Sequence, residues 1–192
     1  MLLLIAGLVL FLGVHSSRVF ADGFRADFIA ARGEKTWKAI HAILSIAGFV
    51  LLVYGYGDAR TAPIVLWTPP VWTRHAAALL TLPAFILLAA AYVPRNAIKG
   101  RLGHPMLLGT QIWAAAHLLA NGNVADVLLF GGFLVWATLC FRVAKSRDRA
   151  AGATYPSGGA VPTAVSIAAG AGAWAAFAFH LHAAWIGVPP FG

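Results

Sequence analysis

The chain has 192 residues, of which 60% are hydrophobic and only 10% are charged. Soluble domains carry about 25% charged residues, so this composition excludes an ordinary soluble domain and indicates a membrane protein. The formal net charge is +8, but the basic residues lie near helix ends and in connections, which argues against a nucleic-acid-binding face. The single cysteine, Cys140, excludes an intrachain disulfide and a metal-thiolate cluster.

Apolar stretches that could cross a membrane recur along the chain. A transmembrane helix needs about 20 predominantly apolar residues. The segments that approach this requirement are residues 2–20, 37–56, 72–93, 105–120, 124–143 and 163–186. We therefore predict an all-α, polytopic membrane helix bundle with about six transmembrane helices, which forms a single domain over residues 1–192.

The distribution of basic residues predicts the orientation of the bundle, because cytoplasmic loops carry an excess of Lys and Arg. The first, third and fifth connections, with their flanks, hold Arg18, Arg25, Arg32, Lys35, Lys38, Arg95, Lys99, Arg101, Arg142, Lys145, Arg147 and Arg149. The second connection holds only Arg60 and Arg74, and the fourth holds none. We therefore expect the odd connections to face the cytoplasm and both termini to face the other side.

Local patterns refine this picture in chain order. Residues 2–14 resemble the apolar part of a secretory signal, but Arg18 follows them and no positive charge precedes them, which favours a retained membrane helix. Residues 21–39 alternate apolar and charged side chains, which suits a short helix at the cytoplasmic surface. The short turn at residues 121–123 predicts an antiparallel helix hairpin. The last helix is rich in Ala and Gly, so it should pack closely on its neighbours.

Seven histidines are spread over the predicted helices, and ionisable side chains inside a membrane usually mark a functional site. The alternative for any one of them is a hydrogen bond to a neighbouring helix. At about 100° per residue, His104 and His117 point about 140° apart and cannot share a pocket. For the same reason, at most one of His180 and His182 faces inward.

The rise along each helix sorts the histidines by depth. His15, His41 and His104 fall in the cytoplasmic half, whereas His75, His117, His180 and His182 fall in the outer half. His117 shares its side of the helix with Met106, Thr110, Trp113 and Asn121. His41 lies in line with Ser45, Gly48, Leu52 and Gly55, a small-residue face suited to packing beside a flat cofactor.

Histidines that face one another in apolar surroundings are typical of haem b, which takes two imidazole axial ligands. No C-x-x-C-H motif is present, so covalent c-type attachment is excluded. Zinc is the alternative, although Glu34, Asp58 and Asp126 should lie too near the surface to ligate it. A general acid or base role for His104 or His117 also stays open. The candidate cofactor-binding residues are His15, His41, His104, Trp113 and His117.

Three segments resemble the NnrU family of bacterial membrane proteins: "LFLGVHSSR", "RGEKTWKAIHAILSIAGFVLLVYGYGDAR" and "RNAIKGRLGHPMLLGTQIWAAAHLLANGNVADVLLFGGFLVWA". They cover most of residues 1–149. The family is named for genes associated with nitrite and nitric oxide reduction. It is similar to the plant and algal 15-cis-zeta-carotene isomerases, which are membrane-integral haem b proteins. The resemblance thus implies a multi-pass protein of the bacterial inner membrane that binds haem b.

The resemblance also implies an axial ligand pair. In the isomerase, the haem is held by a histidine in the first "H-S" segment and by one in the "AH" of the helix that follows "GHP", which match His15 and His117. The helix rise places His15 about 12 Å closer to the cytoplasm than His117, so His41 or His104 is the alternative partner. The isomerase carries a cysteine near its second histidine, whereas Cys140 here lies on another helix, which argues against thiolate-based redox switching.

From these features we expect a haem b protein that supports nitrite and nitric oxide metabolism by electron transfer or sensing. One alternative is a haem-dependent cis-trans isomerase of a polyene. Another is a structural membrane protein whose histidines bridge helices. The expected partners are membrane lipids, together with a redox partner or an apolar small molecule. No catalytic residue is predicted.

Overall fold

The computed structural model describes residues 1–156 and 158–191. This part of the chain is helical, with two isolated β-bridges in its connections, which confirms the predicted all-α class. The helices are α1 Leu2–His15, α2 Ser17–Phe20, α3 Asp22–Arg32, α4 Glu34–Ala59, α5 Trp72–Tyr92, α6 Ala97–Leu102, α7 Pro105–Ala120, α8 Val124–Ala150, α9 Ala160–Ala176 and α10 His182–Ile186. A π-helical segment, Phe177–Leu181, joins α9 to α10.

Among the described residues, four helical stretches are long and apolar enough to cross a membrane: α4, α5, α8 and the continuous stretch Ala160–Ile186. Helices α1 and α7 are shorter, with 14 and 16 residues. At about 1.5 Å per residue they span less than the ~30 Å hydrocarbon core. The six predicted helices are thus present as four long spans and two shorter helices packed between them.

Two helix ends differ most from the predicted ones. Helix α1 ends at His15, and the chain reaches Phe20 through the separate short helix α2, so the first span is shorter than predicted. Helix α8 continues past the apolar stretch as far as Ala150. Its last turns carry Arg147 and Arg149, and cations near a helix C-terminus interact favourably with the helix dipole.

Helices α1 and α4 pack with their backbones in direct contact. A Cβ on Gly7 would lie 2.6 Å from the Leu52 nitrogen, and one on Gly48 would lie 2.8 Å from the Phe11 nitrogen. A Cβ on Gly55 would overlap the backbone of Leu4. The small-residue face of α4 therefore contacts α1, and the prediction that it lies beside a flat cofactor is wrong.

The other helices extend this pair sideways. Helix α8 packs on both α1 and α7, and α5 packs between α7 and α9. The turn at residues 121–123 joins α7 and α8 as the predicted hairpin. The Ala- and Gly-rich α9 packs closely on α5, as predicted, because a Cβ on Gly170 would overlap the backbone of Ile86.

Polar contacts at the two ends of the bundle show which termini and connections lie on the same side. At one end, the amino group of Met1 lies 3.4 Å from Asp58, and Arg60 donates a hydrogen bond of 2.9 Å to the Ile186 carbonyl. At the other end, Arg147 donates to the Arg18 carbonyl at 3.0 Å. The first and last helices thus begin and end on one side, and the basic first and fifth connections meet on the opposite side, as the positive-inside pattern predicts.

The outer faces of the helices are apolar and exposed. Exposed residues of this kind are Val9, Ile43, Ile46, Leu79, Val135, Val161 and Phe179. A soluble monomer rarely exposes such extended apolar surface, whereas lipid tails cover it without cost. The helices therefore contact membrane lipids.

Candidate functional site

The structure sorts the predicted site residues into three groups. His15 and His41 form the α1–α4 histidine pair, with ring centres 5.0 Å apart. His117 forms the α7–α10 histidine pair with His182, with ring centres 6.5 Å apart. His104 lies with the linker that follows α8, away from both pairs. The two pairs agree with the depths predicted from the helix rise.

In the α1–α4 histidine pair, the hydrogen bond of His15 settles its neutral tautomer. Its Nδ1 lies 2.7 Å from the carbonyl of Phe11. A carbonyl only accepts, so Nδ1 carries the proton and Nε2 keeps a lone pair. The His41 ring is inclined by 72° to that of His15, and its Nδ1 lies 3.4 Å from the Ser45 hydroxyl.

Trp136 of α8 borders this pair. Its ring is perpendicular to that of His15, with centres 6.2 Å apart. Its indole Nε1 is buried and lacks a hydrogen-bond partner among the described residues. Buried donors are nearly always paired, so this atom marks a place where a bound group or water would complete the structure.

Trp136 also lines an apolar groove of about 430 Å³ between α1, α2 and α8. The groove is open along one side, and Ser16 and Cys140 are its other polar or sulfur-containing lining residues. Glycines on both helices widen it: Gly13, Gly131 and Gly132. An extended apolar molecule would fit its shape and chemistry.

In the α7–α10 histidine pair, both rings donate a hydrogen bond from Nδ1 to a backbone carbonyl. Nδ1 of His117 lies 2.8 Å from the Trp113 carbonyl, and Nδ1 of His182 lies 2.5 Å from the Val188 carbonyl. Each Nδ1 therefore donates, and each Nε2 keeps a lone pair. Phe130 stacks on His117 with ring centres 4.5 Å apart, and Trp113 packs beside it at 5.0 Å.

The structure does not bring His15 and His117 together. Trp136 packs on His15 and Phe130 packs on His117, and these two residues are about 9 Å apart along the axis of α8. Phe133 fills the space between them, with its ring 5.6 Å from that of Trp113. Each of the two histidines has a different histidine as its neighbour.

His104 precedes the first residue of α7, and its Nε2 forms a hydrogen bond with Asp148. This atom lies 2.8 Å from an Asp148 oxygen, and the Tyr155 hydroxyl donates to the same oxygen at 2.9 Å. A carboxylate only accepts, so His104 Nε2 carries a proton and has no lone pair for a metal. Burial and the hydrogen bond to Asp148 raise the pKa of the Tyr155 hydroxyl, which keeps it a donor at neutral pH.

Asp126 was expected near the surface, and that expectation is wrong. Its side chain is buried, with 2% exposure, and accepts a 2.6 Å hydrogen bond from the Tyr56 hydroxyl. Its other oxygen accepts from the backbone and side-chain nitrogens of Asn123. The spacing of Asn123 and Asp126 is that of a capping box, a signal in the sequence that could have identified this arrangement.

Sequence reasoning also missed His182 and Trp136 as members of the site. His182 owes its position to the π-helical segment before it, and no sequence pattern marked that segment. Within residues 1–156 and 158–191, no group of three or more His, Cys, Asp or Glu side chains is arranged to hold a metal ion. Four of the histidines therefore form two pairs, His15 with His41 and His117 with His182, and no larger cluster among the described residues.

Comparison with known proteins gives one match. A family model described as "NnrU protein" matches residues 3–190, which include both histidine pairs. No curated protein and no solved structure matches the chain.

Proposed function

Because the chain belongs to the NnrU family, we propose that it is a haem b protein of the bacterial inner membrane that supports nitrite and nitric oxide reduction. The observation that carries this proposal is the tautomeric state of its intramembrane histidines. His15 and His117 each donate Nδ1–H to the carbonyl four residues earlier, so each Nε2 is a free lone pair. A histidine that held haem iron would bind it through such a nitrogen.

A pair of histidine nitrogens is the number and kind of protein ligand that haem iron takes. Haem would need no more than two imidazole ligands from the protein, because the porphyrin brings nitrogen ligands of its own. A structural zinc site instead takes four protein ligands, more than a histidine pair offers. Phe130 and Trp113 provide an apolar wall beside His117, and the Nε1–H of Trp136, which has no partner among the described residues, would donate a hydrogen bond to a bound group beside His15.

The roles of the protein groups follow from this arrangement. The Trp113 carbonyl orients the His117 ring and increases the basicity of its Nε2, as such partners do for metal-bound histidines. The aromatic side chains exclude water and lower the local dielectric, which tunes a redox potential. When bound, haem supplies one-electron transfer or a site for a small gaseous ligand, the chemistry that electron transfer or sensing needs. The family resemblance implies His15 as the second ligand.

Haem binding is tested by purifying the full chain after haem-replete expression. We expect a Soret band, an oxidised-minus-reduced difference spectrum and a stoichiometric haem content. His117→Ala should remove most of the haem. His104→Ala is the matched control, because its Nε2 is engaged by Asp148, and it should retain haem. A wild-type protein without a Soret band would leave the histidines as bridges between helices and contradict the proposal.

The role in nitrogen-oxide reduction needs a cellular test. Deletion of the gene in its own bacterium should slow consumption of nitrite or nitric oxide under oxygen limitation. Wild-type protein should restore the rate, and the His117→Ala protein, present in the membrane at equal amount, should not. Equal rates in the deletion strain and its parent would contradict this role while leaving haem binding intact.

The groove between α1, α2 and α8 favours a second candidate function, haem-dependent cis-trans isomerisation of a polyene. Its apolar lining and its volume of about 430 Å³ suit part of an extended hydrocarbon chain, and Trp136 connects it to His15. Expression in cells that accumulate poly-cis carotenes tests this candidate. Accumulation of the isomerised product supports it, and an unchanged carotenoid profile excludes it.

A further inference from the structure

We infer that the groove between α1, α2 and α8 binds an anionic glycerophospholipid of the cytoplasmic leaflet. One acyl chain lies along α8, and the headgroup phosphate contacts Arg147. A polyene would use only the apolar lining of the groove, whereas an anionic lipid also uses the charged side chain at its end. Such a site does not depend on haem binding, so the two can be tested separately.

The groove follows one face of α8. Its lining residues on this helix recur at intervals of four and extend from Val127 to Cys140. At about 1.5 Å per residue this length is about 20 Å, which exceeds the ~15 Å that one leaflet contributes to a hydrocarbon core of about 30 Å. A Cβ on Gly131 would meet no atom within 4 Å, so the groove has room for added carbon there. An acyl chain therefore fits along this face.

Arg147 continues the same face of α8 beyond the groove. It comes seven residues after Cys140, which at about 100° per residue is only about 20° short of two full turns. The other cations near this end of the helix lie at least about 140° away from Cys140 around the axis. They are Arg142, Lys145 and Arg149. Arg147 is thus the cation of α8 that lies in line with the groove.

A hydrogen bond places the guanidinium of Arg147 at the end of the groove. Its Nη1 donates to the Arg18 carbonyl at 3.0 Å, and Val19 and Phe20, which follow Arg18 in the chain, line the groove. An arginine has five N–H donors, and this bond uses one of them. The guanidinium can therefore donate to the oxygens of a phosphate, a partner that matches its geometry.

Two carboxylates near this end of the groove have other partners. Asp148, the next residue after Arg147, has an oxygen 2.8 Å from Nε2 of His104. Asp22 lies 3.8 Å from Nε of Arg18. Within residues 1–156 and 158–191, Arg147 forms no ion pair. An anion at the groove therefore has a charged partner, and basic residues at the cytoplasmic surface attract anionic headgroups.

The headgroup contact is tested by titrating the purified full-length protein with phosphatidylglycerol and counting bound lipid by native mass spectrometry. We expect one tightly bound phosphatidylglycerol, and weaker binding of phosphatidylcholine with the same acyl chains. Arg147→Gln should weaken phosphatidylglycerol binding about fivefold, the effect of one basic residue near an anionic headgroup. Arg149→Gln is the matched control, because it removes the same charge on the opposite side of α8, and it should bind as the wild type does.

The acyl contact is tested by filling the groove, which also keeps the site testable if Arg147→Gln does not fold. Gly131→Leu should abolish phosphatidylglycerol binding. Gly172→Leu of α9, where a Cβ also meets open space, should leave it unchanged. The lipid site is overturned if phosphatidylcholine binds as tightly as phosphatidylglycerol, if the two arginine variants lose equal affinity, or if Gly131→Leu binds as the wild type does. Co-purification of a neutral polyene in place of phospholipid would also overturn it.

Discussion

The two histidine pairs use the same side chain in opposite kinds of packing. At the α1–α4 pair, glycines bring the helix backbones together, and the rings meet edge to face with centres 5.0 Å apart. At the α7–α10 pair, the rings are nearly parallel and 6.5 Å apart; His117 lies in the last turn of α7, and His182 begins α10 directly after the π-helical segment. Close backbone packing thus accompanies the edge-to-face pair, whereas an interruption of regular helix accompanies the wider, nearly parallel pair.

The largest expected effect comes from breaking the α1–α4 contact. Gly55→Ala would drive a Cβ into the backbone of Leu4, whereas Gly57→Ala, two residues away, meets open space. We expect Gly55→Ala to lower the free energy of unfolding by about 3 kcal/mol relative to Gly57→Ala, because overpacked backbone contacts relax poorly. Thermal unfolding in detergent measures this. Equal stability of the two variants would show that the glycine contact is dispensable.

A smaller effect is expected when Asp126, the buried carboxylate in the first turn of α8, is removed. Asp126→Ala would leave the Tyr56 hydroxyl and the Asn123 amide without their acceptor, which we expect to cost about 2–3 kcal/mol. Asp58→Ala is the matched control, because Asp58 is exposed and, among the described residues, its carboxylate pairs with the amino group of Met1 alone. Chemical denaturation of both variants tests the difference. A loss at Asp126 no greater than that at Asp58 would contradict the structural role of the buried group.

The indole nitrogens of two tryptophans differ in whether they have a hydrogen-bond partner. Trp174 donates to the Ala78 carbonyl at 2.9 Å, whereas Trp136 has no partner among the described residues. In haem-free protein, Trp174→Phe should lower the unfolding free energy by about 1 kcal/mol more than Trp136→Phe. If Trp136→Phe is the more destabilising of the two, the indole nitrogen beside His15 already has a partner, and the α1–α4 pair is complete without a ligand.

The smallest effect is expected at the third histidine, His104. Tyr155→Phe removes the hydroxyl that donates to Asp148, at a cost of about 0.5 kcal/mol because the site is partly exposed. The raised pKa of Tyr155 means that this contribution is complete below the ordinary tyrosine pKa of about 10 and is lost as the pH rises through the higher folded value. Melting curves of both proteins at several pH values test this, with exposed Tyr92→Phe as control. A difference that grows with alkaline pH would contradict it.

Much of the architecture was predictable because it depends on local properties. Apolar segments must be helical in a membrane, where every backbone group needs an internal partner. Angular spacing along a helix correctly separated His104 from His117, and the helix rise correctly matched His15 with His41. Asp126 was misjudged because its position in the sequence, just after a turn, says nothing about the Tyr56 side chain that covers it.

The sequence by itself determined the membrane class, the helix order, the charge asymmetry of the bundle ends and the family. These features follow from composition, periodicity and motifs that lie close together in the chain. Only the tertiary structure decided which histidines meet, that the glycine face of α4 contacts α1, and that a π-helical turn brings His182 to His117. Such contacts join residues far apart in sequence, and a rotation by one residue within a helix is enough to change the partner that a side chain faces.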